Sequence, residues 1–139
     1  MNKKLILPYL LLGACAHGPA LQRVQLVNQT ARSIDEIYVF PVGAANHGAP
    51  RGTLAPSATR ELQIPAGNIE VDAVSGHMVI DDHTRDRPSA STSIELHAPA
   101  RVIFYDDDAK PTGLDAPDTY GVKFHVPRAA KPPEPPAAD

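Results

Sequence analysis

Short stretches of alternating apolar and polar residues recur along the chain, each cut off at Gly, Pro or Asn. A two-residue period of this kind marks half-buried β-strands. The stretches are residues 23–28, 34–40 (closed by Pro41), 60–64, 69–74, 77–80, 93–96, 102–105 and 122–126. No segment carries a sustained 3.6-residue apolar stripe with caps, so little helix is expected. The pattern predicts an all-β domain of about 7–8 short strands. The expected architecture is an antiparallel two-sheet sandwich, with a small β-barrel as the alternative.

The sharpest local expectation is a hairpin at Val74-Ser75-Gly76-His77. A two-residue turn there pairs Val74 with His77, Ala73 with Met78, Asp72 with Val79 and Val71 with Ile80. One face of that ribbon is then apolar, and the other carries Glu70, Asp72, His77 and Asp81. Residues 42–57 read as a long loop rich in Gly, Ala and Pro. At the C-terminus, residues 127–139 hold five prolines and little to bury, which predicts an extended, partly polyproline tail.

The first fourteen residues follow a different rule. Met1-Asn2-Lys3-Lys4 is a short basic start, and Leu5 to Leu12 is an apolar run of eight. A membrane-spanning helix needs about 20 apolar residues, so this run is too short to span, but it fits a signal-peptide core. The tetrad Leu12-Gly13-Ala14-Cys15 follows. It resembles the lipobox of bacterial lipoproteins, Leu-[Ala/Ser/Gly]-[Gly/Ala]-Cys, at all four positions. The resemblance implies cleavage before Cys15 and lipidation of its sulfur and of the new amino group. Ala16 in place of Asp implies sorting to the outer membrane. The domain boundaries that result are a leader over 1–14, a lipidated linker over 15–21, a sandwich over 22–126 and a tail over 127–139.

Composition agrees with such a chain. Aromatics are scarce, with three Phe, four Tyr and no Trp, so the core must come from Val, Ile, Leu and Ala. Without Lys3 and Lys4 the 13 basic residues fall to 11 against 16 acidic ones, a charge of −5. An acidic chain without basic runs has no footprint for nucleic acid. The lone cysteine excludes an internal disulfide.

From Asn28 the chain reads Asn-Gln-Thr-Ala-Arg-Ser-Ile-Asp-Glu-Ile-Tyr-Val-Phe-Pro. This resembles the opening of a family of small exported bacterial β-domains, Asn-x-Thr followed by Ile-x-x-Leu/Ile-Tyr-Val-Ser-Pro, a loop and a Leu-containing turn with Pro-Gly. Here Leu54-Ala55-Pro56-Ser57 stands where that turn falls, with Phe40 for the family's Ser and Ser57 for its Gly. The resemblance supports a sandwich, of immunoglobulin-like or transthyretin-like build, and brings no particular activity with it. Asn28 and Thr30 are expected to tie the first turn together through side-chain hydrogen bonds.

Candidate chemistry is sparse. His77, Asp81 and His83, with Asp82 and Asp86 near them, hold the residue types of a metal site but lack a Cys pair or a His-x-His spacing. Asp106 and Asp108, with Asp107 between, could offer oxygens to calcium, which needs about six to eight of them. A solvated hairpin edge and a polar turn are the plainer readings of these two clusters. No Gly-x-Ser-x-Gly elbow occurs, and His47, His97 and His125 read as surface or strand-end residues. The sequence therefore leads to a non-enzymatic, membrane-anchored interaction module of the cell envelope without a cofactor, meeting a protein or glycan partner. A metal- or small-ligand-binding domain is the second reading. An envelope hydrolase is the third.

Overall fold

The computed structural model describes residues 19–83 and 85–127, and its strands all belong to β-sheets without any helix. Cys15, the leader and residues 128–139 of the tail lie outside the described residues. The strands are β1 (Leu21–Asn28), β2 (Ile34–Pro41), β3 (Thr59–Pro65), β4 (Gly67–Ser75), β5 (Met78–Val79), β6 (Arg85–Asp86), β7 (Ser89–Leu96), β8 (Ala100–Asp106) and β9 (Thr119–Phe124). They form a four-stranded sheet in the order β3-β1-β8-β9 and a three-stranded sheet in the order β2-β4-β7. The short strands β5 and β6 make a separate ribbon. The architecture is a two-sheet sandwich, and neither large sheet closes into a barrel.

The core follows from alternation. Val24, Leu26, Val102, Phe104, Val122 and Phe124 of the first sheet are completely buried, and Ile37, Val71, Ala73, Ile94 and Leu96 of the second face them. Each fully buried aliphatic or aromatic side chain contributes about 1.5–3 kcal/mol. Ile103 breaks the alternation, being buried although its neighbours Val102 and Phe104 point inward. Gly113 explains it, since a Cβ at Gly113 would lie 3.7 Å from Ile103 Cδ1. The segment 107–118 thus lies over the outer side of β8.

Two expectations change here. The sheets are not uniformly antiparallel, because β1 runs parallel to β8 and β8 parallel to β9. Parallel neighbours need a crossover of about a dozen residues, and segment 107–118 is long enough to serve as one. The hairpin at Val74–His77 also does not form. Val71 pairs instead with Val39 on one side and Thr92 on the other, which makes β4 the central strand of its sheet. Met78 pairs with Asp86 and Val79 with Arg85, and Val79 stays exposed. Gly76 serves close approach and not a tight turn. Its N–H donates to Ser33 O at 2.8 Å, and a Cβ there would come within 2.9 Å of Ser33 Oγ.

A buried polar knot joins the sheets at one end of the sandwich. Asn28, fully buried, donates from Nδ2 to Arg32 O (2.7 Å), Leu54 O (3.1 Å) and Ala55 O (3.1 Å). Its Oδ1 accepts from Thr30 N at 2.9 Å and lies 2.7 Å from the Thr30 hydroxyl. The side-chain ties expected of Asn28 and Thr30 are therefore present. Arg32 then reaches across both sheets, donating from Nε to Ser75 Oγ on β4 (2.8 Å) and through Nη1 and Nη2 to both carboxylate oxygens of Asp106 on β8 (2.9 and 2.7 Å).

This forked pair is mostly shielded, with the two side chains only 13% and 15% exposed. Removing one partner of a shielded pair leaves the other charge uncompensated. Asp106→Ala is expected to cost about 2–4 kcal/mol in chemical denaturation, and Arg32→Met combined with Asp106→Leu to recover part of that loss. Additive losses in the double variant would show the pair to be energetically idle.

The turn after Leu54 gives a second local prediction. Ala58 N donates to Ala55 O at 3.0 Å, and Ser57 sits at φ 61°. That left-handed conformation costs an L-residue about 1–2 kcal/mol, while glycine adopts it freely at some entropic expense. Ser57→Gly is expected to raise stability by up to about 1 kcal/mol, read as a higher denaturation midpoint. A lowered midpoint would contradict the strain argument.

Candidate functional site

The outward face of the three-stranded sheet collects chemistry in register. Pairing sets Tyr38 beside Asp72 and Asp72 beside Ser91, and on the next row sets Glu36 beside Val74 and Val74 beside Ser89. Alternation points these residues away from the core because Ile37, Val39, Val71 and Ala73 take the inner side. Serines on β7 are too short to fill the face, so a recess of about 390 Å³ remains, lined by Tyr38, His47, Asp72, Val74, Ser89 and Ser91.

His47 closes the recess from the loop between β2 and β3. Its ring stacks on Phe40 at 4.2 Å between centroids, with planes 6° apart, and meets Tyr38 edge-on at 6.4 Å. Gly43 and Gly48 take positive φ on either side, and Gly48 N–H donates to Asn46 Oδ1 at 2.9 Å. The loop is thus shaped by its own turn chemistry. It is also tied to the edge of β2, where Arg51 N–H donates to Ile37 O at 2.7 Å and Ile34 and Leu54 exchange both backbone bonds at 2.9 Å.

The electrostatics are acidic at the rim. The Tyr38 hydroxyl donates to Glu36 Oε1 at 2.6 Å. That hydrogen bond, with some desolvation and the Glu36 charge, raises the Tyr38 phenol above its ordinary value, while Arg87 pulls it down. The tyrosine thus remains a neutral donor beyond the ordinary phenol range of about pH 10. Arg87 approaches Glu36 at 3.1 Å and Asp35 at 3.5 Å.

In the recess itself His47 Nδ1 lies 3.9 Å from Asp72 Oδ2, longer than a hydrogen bond. Asp72 Oδ1 is buried, and it is the one buried side-chain polar atom among the described residues without a hydrogen-bond partner. Such an acceptor costs about 1–3 kcal/mol unless something donates to it.

The residues nominated from sequence fall elsewhere. His77, Asp81 and His83 are exposed between β4 and β6, and Asp81 Oδ1 accepts a local bond from His83 N at 2.8 Å. Asp106, a candidate calcium ligand, has both its oxygens taken by Arg32. Asp108 lies exposed in the turn after β8, and Asp107 accepts from Val126 N and pairs with His125 at 2.8 Å. Among the described residues no three His, Cys, Asp or Glu side chains converge as a metal site requires. His97 and His125 are exposed, as strand-end residues would be.

Sequence reasoning passed over Tyr38 and Asp72 and treated His47 as plain surface. Alternation alone puts Tyr38 and Asp72 on outward faces. Only the pairing of β2 with β4 makes them neighbours.

His47, Asp72 and two serines in one recess are also the residue types of a hydrolytic triad. That chemistry needs the base within about 2.6–3.2 Å of the nucleophile. Among the described residues no hydrogen bond links His47 to Ser89 or Ser91, and the His47–Asp72 separation is 3.9 Å. The geometry is that of a polar, aromatic-edged binding recess on an all-β two-sheet sandwich. Comparisons with protein-family models, curated proteins and solved structures return no match.

Proposed function

We propose that this chain is a lipid-anchored binding module of the bacterial cell envelope, non-enzymatic and held to a membrane through Cys15. We place its ligand in the recess between Tyr38, His47 and Asp72. The observation that supports this reading is the buried Asp72 Oδ1, which has no hydrogen-bond partner among the described residues. A ligand hydroxyl donating to that oxygen would remove the cost of burial, and the exposed Ser89 and Ser91 would add hydroxyls to the lining of the same recess. The Tyr38 and His47 rings supply apolar surface beside these polar atoms. Hydroxyls alternating with apolar faces are the chemistry of a sugar, so an envelope glycan is the favoured partner.

The experiment is photocrosslinking in intact cells from a benzophenone residue at Ser91, in otherwise unaltered chain and in Asp72→Ala. A glycan adduct in the first and its loss in the second is the expected result. A protein adduct would replace the glycan with a protein partner, and no adduct in either would end the binding reading. The same cells treated with a fluorophosphonate probe should show no label on this chain; a labelled Ser89 or Ser91 would make it a hydrolase instead.

A further inference from the structure

The strand directions place the start of β1 and the finish of β9 at opposite ends of the sandwich. β1 begins at Leu21 against Pro65 of β3, the same end at which β2 finishes at Pro41 and β4 starts at Gly67. β9 finishes at Phe124 beside Asp106, at the end that holds the Arg32 knot. The two ends differ in character.

Three large hydrophobic side chains are exposed among the described residues, and two of them, Leu21 (60%) and Val42 (54%), sit at the Leu21 end. Between them the two sheets part in a cleft of about 390 Å³, floored by the buried Val39, Ile64 and Ile69. Pro19, Pro41 and Pro65 line its sides, and Arg51 is the one charged residue lining it among the described residues. Of the acidic residues of this end, Asp115 and Asp118 belong to the β8–β9 corner, and Glu95 lies beside Asn68 and Val42 on the outer face of the three-stranded sheet; none of the three lines the cleft.

Cys15 stands four residues before Pro19. Four residues reach at most about 14 Å, so a lipid on Cys15 would hold this end, and no other, against the bilayer. We infer that the Leu21–Val42 end is a membrane-contacting surface whose cleft takes an acyl chain of a surrounding phospholipid, with Arg51 positioned for the phosphate. The inference rests on the lipid-anchor reading of Cys15. It makes the anchored domain stand on its apolar end, with the Tyr38–Asp72 recess on the side of the sandwich and the last residue of β9, Phe124, at the end away from the membrane.

The test uses the full chain, produced in bacteria and reconstituted in phosphatidylethanolamine–phosphatidylglycerol vesicles with brominated acyl chains. An environment-sensitive maleimide dye is placed at Val42→Cys and, separately, at Val79→Cys, the third exposed hydrophobic residue, on the ribbon at the far end. The dye at position 42 is expected to lose most of its emission to the bromines, and the dye at 79 to emit as it does in bromine-free vesicles. Equal emission at the two positions would overturn the inference. The unsubstituted chain is treated in parallel, because lipid on Cys15 leaves no thiol to label. If that control takes up dye, the anchor reading fails; quenching confined to position 42 would then still identify this end as membrane-contacting, whereas its absence would remove both.

Discussion

Asn28→Ala is expected to destabilise the protein by about 3–5 kcal/mol, more than any other single polar substitution in the sandwich. The reason is the number of groups it serves. Its amide meets three carbonyls, those of Arg32, Leu54 and Ala55, and its Oδ1 meets the backbone and hydroxyl of Thr30, all with Asn28 fully buried. Each buried group left without a partner costs about 1–3 kcal/mol, and the truncation also opens a small void. Asn28→Asp keeps the acceptor toward Thr30 but turns the donor toward three carbonyls into a negative charge, so it should be no milder. Urea denaturation of the three proteins reads the effect as a fall in midpoint at constant slope. A loss under about 1 kcal/mol for Asn28→Ala would mean that water replaces the amide, and the knot would then not be what fixes the first turn.

The second large effect concerns location. Cys15→Ala should move the protein completely from the membrane fraction to the soluble fraction. Several acyl chains at about 0.8 kcal/mol per buried methylene hold a protein tightly, whereas a single chain binds only reversibly. Leu21 and Val42 cover too little area to replace that anchor, although they can orient a domain already held there. Release also requires that the leader be removed by ordinary signal-peptide cleavage, because the lipobox resemblance ties the lipoprotein cleavage to the modified cysteine. Fractionation and mass spectrometry of the mature N-terminus check both points. A variant that remained in the membrane with its leader removed would shift the anchoring role to the apolar end of the sandwich.

These two predictions separate what each part of the chain contributes. The Asn28 effect is internal to the domain and should appear in lipidated and unlipidated protein alike. The Cys15 effect should leave the denaturation curve of the domain unchanged, because among the described residues the two large sheets begin at Leu21.

The fold class was legible because period-2 alternation is a local property. Val24 and Leu26, Ile37 and Val39, or Ile69, Val71 and Ala73 each report an inner face without reference to any other strand. The Asn28–Thr30 ties were legible for the same reason, as side-chain-to-backbone bonds over two to four residues. Pairing partners were not legible. The alternation of 69–74 and 77–80 fits a hairpin equally well, but β4 has only two edges, and the longer ladders of β2 and β7 occupy both. Gly76 then reads as a turn residue from the sequence and as a point of close backbone contact in the fold.

What the chain determined by itself was therefore a set of strands with their inner faces, one short polar turn, and the lipobox-like start that sets the expected anchor. The fold alone decided which strands meet, that β8 and β9 run parallel, that Arg32 takes the carboxylate of Asp106, and that Tyr38, His47 and Asp72 share one recess. The physical reason is range. Alternation and turn chemistry act over a few residues, whereas register and side-chain convergence are set by the competition of whole strands for a limited number of sheet edges.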